Sequence, residues 1–136
     1  MNESSLHCSL VSSLHAWFLA NVQDCASYVV YVDNEEANKT NVPPTINGSV
    51  PDFYSHKPGS LKHYVGEAKT SKDLERPRSR EQFKAFLKFC HDNSDSLLII
   101  AVPWFMSPCA KSLLKAIAKE NGYDKAKFIV LADLPG

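Results

Sequence analysis

The stretch Val65-Gly66-Glu67-Ala68-Lys69-Thr70 places an acid and a lysine two positions apart, at the end of a short apolar run. Residues two apart on a β-strand point to the same side of the sheet, so the pattern predicts that Glu67 and Lys69 lie side by side. Gly66 and Ala68 would face the other side and leave room for a closely packed helix or backbone. A carboxylate and an ammonium group are costly to bury at a strand end, which favours a functional role over an edge-strand ion pair.

Length and composition indicate an ordinary folded protein. The 136 residues, 44% hydrophobic and 22% charged, predict a single domain spanning residues 1–136. The formal net charge is zero, so any nucleic-acid surface must be a local patch. The N-terminus lacks the basic region of a signal peptide, and no apolar run reaches membrane-spanning length. We therefore expect a cytoplasmic, intracellular protein without membrane contact.

Hydrophobic periodicity predicts three helices and five strands, in the order helix, three strands, helix, strand, helix, strand. The helices are predicted at 4–20, from Ser79 to about Asn93, and between Ser107-Pro108 and Asn121-Gly122. The strands are predicted at 28–32, about 46–54, 61–69, 97–102 and 127–132. The continuous apolar run at 97–102 is typical of a strand buried on both faces. Together these features predict an α/β protein whose mixed sheet is covered by helices on both sides.

The second and third predicted strands have the pattern of neighbours in a hairpin. A turn-forming segment at residues 56–60, which contains Pro58-Gly59, connects them. This pairing would bring Asp52, which follows Pro51, close to Glu67. Asp52 could be a simple turn residue, but the approach of a second carboxylate favours a shared site.

Pro51-Asp52 followed by Glu67-Ala68-Lys69 resembles the PD-(D/E)XK nuclease signature, in which a Pro-Asp precedes an acid, any residue and a lysine. The predicted order of elements is also similar to the core of that superfamily, over roughly residues 3–102. The resemblance implies a three-layer α/β/α sandwich with a mixed central sheet and a restriction-endonuclease-like core of helix, three strands, helix and strand. The C-terminal helix and strand would be additions to this core.

The resemblance also implies a metal-dependent nuclease, an endonuclease or an exonuclease, that hydrolyses phosphodiester bonds in DNA. Asp52 and Glu67 would bind Mg²⁺, for which Mn²⁺ can substitute, and the backbone carbonyl of Ala68 would be a third ligand. Such an ion can stabilise negative charge on the phosphate and make a nucleophile from water. Lys69 would orient the attacking water and the phosphate, and whether it also takes the proton stays open.

Two further residues are candidates for the catalytic site, each with an alternative role. Many members of the superfamily supply an acid from the first helix, where Glu3 is the candidate; Glu3 could equally be a partner of the helix dipole. In several branches the helix after the lysine strand carries a glutamine followed by a tyrosine. Gln82 occupies that place, with Phe86 instead of the tyrosine. Gln82 could position the phosphate or the water, or it could form a helix capping box with Ser79.

The segment after the lysine strand is rich in basic residues. It could bind the nucleic-acid backbone beside the site, or it could be a solvated loop with internal ion pairs. The candidates for nucleic-acid binding are Lys72, Arg76, Arg78 and Arg80. The expected partners are DNA and either a second copy of the chain or a larger protein.

Two other classes of function stay open. One is a non-catalytic nucleic-acid-binding or assembly module on the same fold, which the complete set of Asp52, Glu67 and Lys69 disfavours. The other is a structural α/β domain in which the motif is accidental. That alternative predicts that the carboxylates of Asp52 and Glu67 lie far apart and that no divalent ion binds.

Overall fold

The computed structural model describes residues 3–33, 42–132 and 134–135 of the chain. Its helices are α1 (Glu3–Asn21), α2 (Pro77–Asp92) and α3 (Ser107–Asn121). Its strands are β1 (Val29–Val32), β2 (Phe53–His56), β3 (His63–Ala68), β4 (Leu97–Ala101) and β5 (Phe128–Val130). The order of helices and strands agrees with the prediction. None of the described helices combines the length and the apolar character needed to cross a membrane.

The five strands form one mixed sheet in the order β1-β2-β3-β4-β5. β1, β2 and β3 pair antiparallel, and β4 and β5 continue the sheet parallel to β3. A parallel pair needs a crossover connection, which α2 supplies between β3 and β4 and α3 supplies between β4 and β5. The predicted α/β class with a mixed sheet is confirmed.

Side chains that alternate along the strands enter two apolar clusters on opposite faces of the sheet. One cluster packs α1 against the sheet, and its members include Leu10, Leu14, Phe18, Phe53, Ala68 and Ile99. The other packs α2 and α3 against the opposite face, and its members include Val65, Phe83, Phe86, Leu98, Ile100 and Leu114. The removal of this apolar surface from water on both faces is the main source of stability.

The second strand is shorter than predicted, and the strand predicted at about 46–54 is wrong over most of its length. Residues 46–49 form a tight turn in which Ile46 and Ser49 exchange backbone hydrogen bonds of 2.6 and 3.0 Å. Asn47 and Gly48 have φ angles of 48° and 88°, which an extended strand excludes but a tight hairpin turn requires. Strand pairing begins only at Phe53, which pairs with Gly66.

The start of α2 also differs from the prediction. The helix begins at Pro77, whose fixed φ suits the first helical position, and no side chain caps it. Ser79 therefore lies inside the first turn, where its hydroxyl donates to the backbone carbonyl of Asp73. The predicted capping box of Ser79 and Gln82 is wrong, because the helix starts two residues before Ser79.

Candidate active site

Two carboxylates meet where the β2–β3 hairpin ends. The backbone N–H of Asp52 donates to Glu67 Oε1 at 3.2 Å, and the backbone N–H of Ala68 donates to Asp52 Oδ2 at 2.9 Å. Each carboxylate is thus held by a backbone N–H group from the opposite side of the hairpin. The predicted approach of Asp52 to Glu67 is confirmed, and the wide separation expected of an accidental motif is not found.

Lys69 and Gln82 complete the cluster beside Glu67. Lys69 Nζ lies 3.5 Å from Glu67 Oε2 and also donates a hydrogen bond to Gln82 Oε1. The backbone N–H of Lys69 donates to the carbonyl of Ala101 at 3.0 Å, so the chain follows β4 for one residue beyond β3. This continuation keeps Lys69 on the same side as Glu67, as predicted. The side chain of Gln82 fixes the ammonium group from α2.

A histidine that the sequence analysis did not select also lies in the cluster. His7 Nε2 of α1 is 3.3 Å from Asp52 Oδ2. His7 precedes Leu10 by three residues and Leu14 by seven, so it continues the buried stripe of α1, and this spacing could have marked it. Glu3, the acid predicted from the first helix, begins α1, but its side chain lies outside the described part of the chain.

Burial and hydrogen bonding together set the protonation of the two carboxyl groups. Glu67 is only 2% exposed, and this desolvation, together with the negative charge of Asp52, raises the pKa of Glu67 well above its ordinary value. Desolvation also opposes ionisation of Asp52, but hydrogen bonds from His7, Glu67 and the Ala68 N–H outweigh it and lower the pKa of Asp52. The hydrogen bond to Asp52 raises the pKa of His7. In the absence of a cation, the carboxylate pair therefore favours one negative charge over two.

The donor atoms of this cluster fit a hard divalent cation. Asp52 and Glu67 supply carboxylate oxygens, and a cation beside them would offset the repulsion that raises the pKa of Glu67. Among the described residues, no three His, Cys, Asp or Glu side chains form a closed metal-binding group. Two carboxylates with the Ala68 carbonyl leave positions for water, which Mg²⁺ usually retains. The imidazole of His7 beside Asp52 also suits Mn²⁺.

The cluster lies in a cleft of about 590 Å³. Its lining includes Gly48, Ser49 and Val50, residues of the first turns of α2, and His7 of α1. The side chains of Asp52 and Lys69 are 14% and 12% exposed, so the reactive groups lie at the bottom of the cleft.

The four basic residues predicted to bind nucleic acid are in different places. Arg76 and Arg78 line the cleft, and Arg76 Nη1 lies 3.1 Å from Asp73 Oδ1. Arg80 lies 3.6 Å from Glu120 of α3, beside a separate depression between α2 and α3. Lys72 is exposed and lies outside the lining of the cleft. Of the four, Arg76 and Arg78 line the cleft that holds the carboxylates, and a role in binding nucleic acid stays a prediction for all four.

Comparison of the chain with protein-family models, with curated proteins and with solved structures finds no match. The geometry and the chemistry of the cluster itself are therefore what indicate a function for the chain.

Proposed function

We propose that this chain is a metal-dependent nuclease that hydrolyses phosphodiester bonds in DNA with Mg²⁺ or Mn²⁺. The observation that carries the proposal is the convergence of Asp52, Glu67, Lys69 and Gln82 at the bottom of one cleft. The helices on both faces of the sheet support a three-layer α/β/α sandwich, and the order from α1 to β4 supports a restriction-endonuclease-like core. The resemblance in the sequence and the arrangement in space thus point to the same chemistry.

Asp52 and Glu67 would hold the cation, with the Ala68 carbonyl as a further ligand and His7 beside Asp52. The bound cation would supply charge neutralisation and an acidified water. The hydrogen bonds from the Ala68 N–H to Asp52 and from the Asp52 N–H to Glu67 fix the orientation of both carboxylates before substrate arrives. Such preorganisation lowers the free energy needed to reorient the site during the reaction.

Lys69 would neutralise charge on the scissile phosphate and orient the attacking water. Its ammonium group is held between Glu67 and Gln82, so it is directed at the carboxylate pair and does not extend into solvent. Gln82 would act as a positioning residue that holds Lys69 Nζ. Arg76 and Arg78, at the rim, would contact flanking phosphates through salt-sensitive ion pairs.

The experiment is cleavage of supercoiled plasmid and of labelled single-stranded DNA in the presence of Mg²⁺ or Mn²⁺. Asp52→Asn, Glu67→Gln and Lys69→Ala should each lower the rate by about 10²–10³-fold, because each removes a charge that acts on the transition state. Lys115→Ala is the matched control for Lys69→Ala: it removes an exposed lysine of α3 outside the cleft and should leave the rate unchanged.

Circular dichroism and urea unfolding would establish that each variant is folded. Cleavage that survives chelation of the metal, or that Glu67→Gln and Lys69→Ala leave intact, would contradict the proposal. Wild-type binding of DNA without cleavage would instead support the non-catalytic binding or assembly module.

A further inference from the structure

We infer that His7 is a direct ligand of the cation and makes this site select Mn²⁺ over Mg²⁺, an inference that rests on the metal site of the proposed nuclease. The observation behind it is the separation of 3.3 Å between His7 Nε2 and Asp52 Oδ2. His7 belongs to α1, whereas Asp52 lies just before β2 and Glu67 lies in β3. Three separate parts of the fold thus bring one imidazole and two carboxylates to the same cleft.

The distance between His7 and Asp52 suits two ligands of one ion. A charge-assisted hydrogen bond between a nitrogen and a carboxylate oxygen is about 2.7–2.9 Å long, so a contact of 3.3 Å is a weak one. Two atoms that bind one octahedral ion in neighbouring positions, each at about 2.1 Å from it, lie about 3 Å apart. The observed separation is closer to the second distance than to the first.

The carboxylate of Asp52 is held in place without His7. The backbone N–H of Ala68 donates to Asp52 Oδ2 at 2.9 Å, a shorter contact to the same oxygen than that of His7. The side chain of His7 is 36% exposed, compared with 14% for Asp52, so the core does not enclose the imidazole ring. Orientation of Asp52 and packing of the core are therefore weaker explanations for the position of His7 than binding of a ligand in the cleft.

The charge of the cluster favours a neutral third ligand. Without a cation, desolvation and the charge of Asp52 keep Glu67 protonated to an unusually high pH. A divalent cation beside the pair would allow both carboxylates to ionise, and their two charges would balance the charge of the ion. A third carboxylate would add a charge that is costly to desolvate, whereas the imidazole of His7 adds a donor atom without one.

The combination of donor atoms distinguishes between the two candidate ions. Mg²⁺ binds oxygen ligands and is coordinated mainly by carboxylates, phosphates and water. Imidazole is typical of transition-metal sites, and Mn²⁺ is the first-row transition metal that also suits carboxylate, carbonyl and water oxygens. Asp52, Glu67 and the Ala68 carbonyl are acceptable to both ions. The imidazole of His7 is therefore the group that favours Mn²⁺.

The first test detects the bond between His7 and the ion directly. In pulsed electron paramagnetic resonance of the Mn²⁺-loaded protein, a nitrogen bound to the ion modulates the electron spin echo, and ¹⁵N-labelled histidine assigns that nitrogen to an imidazole. We expect this signal in wild type and its loss in His7→Ala. The matched control is His15→Ala, which removes an imidazole of α1 that is not among the described residues lining the cleft, and which should keep the signal. A histidine signal that survives in His7→Ala, or none in wild type, would overturn the inference.

The second test measures selectivity by calorimetric titration with Mn²⁺ and with Mg²⁺ at constant pH. We expect His7→Ala to weaken binding of Mn²⁺ at least about tenfold, the usual lower limit for loss of a group that supports a metal site, and binding of Mg²⁺ less than about threefold. His7→Glu, which supplies an oxygen ligand, should bind Mg²⁺ more tightly than His7→Ala does. Equal weakening of both ions in His7→Ala would show that His7 acts only through Asp52 and would overturn the inference.

The same measurements separate this inference from the proposed function. Mn²⁺ binding with the His7 nitrogen signal, but without cleavage of any DNA, would support the inference and contradict the nuclease proposal. Metal-dependent cleavage by a protein that lacks the nitrogen signal would support the nuclease and overturn the inference.

Discussion

The two faces of β3 show opposite kinds of packing within a few residues. On the α1 side, a Cβ placed on Gly66 would lie 3.0 Å from Phe53 Cβ and 3.2 Å from Leu14 Cδ1. On the cleft side, Glu67 and Lys69 are nearly as buried, yet they contact charged and polar groups. The first face stabilises the fold through close apolar contact, whereas the second keeps charges in a place where desolvation is unfavourable. Close packing on one face of a strand can thus hold a buried charged group on its other face, where desolvation is unfavourable.

The largest expected effect is on the apolar face. Gly66→Val would insert a branched side chain where even a single carbon is in close contact with Phe53 and Leu14. We expect a loss of about 3 kcal/mol in the free energy of unfolding, the upper part of the range for overpacking a core. Urea unfolding measures it, and Gly66→Ala should lose less than Gly66→Val. Unchanged stability in both variants would show that α1 does not pack closely against β3.

A smaller effect is expected where α2 meets the charged face. Gln82→Ala removes the acceptor that holds Lys69 Nζ, and we expect kcat to fall about 10- to 100-fold, equivalent to about 1.4–2.7 kcal/mol. The free energy of unfolding should change little, because Gln82 is only partly buried.

Ser79→Ala is the matched control on the same turn of α2. It removes a buried hydroxyl bond to Asp73 and should lower stability by about 1 kcal/mol, while kcat stays near the wild-type value. The comparison of Gln82→Ala with Ser79→Ala distinguishes a residue that positions Lys69 from a residue that only stabilises the fold. Equal kcat in Gln82→Ala and wild type would exclude the positioning role of Gln82.

The smallest effect concerns the burial of Glu67 without a divalent ion. The folded pKa of Glu67 is raised above its ordinary value of 4.5, so as pH rises above 4.5 the unfolded chain ionises while the folded chain keeps its proton. Wild type therefore loses stability over this window, from pH 4.5 up to the raised pKa. Glu67→Gln, which cannot ionise, should therefore gain stability relative to wild type as pH passes through the window.

The measurement is urea unfolding of both proteins across this pH window, with a chelator present. Addition of Mn²⁺ should then raise the stability of wild type and not that of Glu67→Gln, because a ligand that binds only the folded protein stabilises it. A difference in stability that falls with rising pH would contradict the protonation assigned to Glu67.

The sequence alone was sufficient to predict which residues lie close together where their proximity depends on a local pattern. The alternation of side chains along β3 predicted that Glu67 and Gly66 face opposite sides of the sheet. The hairpin pairing predicted that Asp52 lies close to Glu67. Both predictions depend on the two-residue repeat of side chains along a strand and on the short connection between two strands. Tertiary packing alters neither of these features. The class of fold followed from the order of periodic segments for the same reason.

One feature that was missed depends on how distant elements meet. His7 reaches Asp52 because of the way α1 packs on the sheet, which no local pattern specifies. The separation of Arg80 from Arg78 is local and could have been predicted, because residues two apart on a helix do not face the same side: Arg78 lines the cleft, whereas Arg80 lies beside Glu120. The error at residues 46–54 was local: Asn47-Gly48 is a strong turn signal, but the flanking apolar residues were assigned to a strand.

The connection from β2 through β3 to α2 has a consequence for the order in which the protein folds. Asp52, Glu67, Lys69 and Gln82 all belong to one uninterrupted segment, so the contacts among them close only short loops. Short loops form quickly, whereas α1 must return across the whole hairpin to cover Gly66. We expect the hairpin and α2 to associate first, with their charges already clustered, and α1 to dock afterwards. The cluster of Asp52, Glu67, Lys69 and Gln82 would then form before α1 completes the second apolar layer on the sheet.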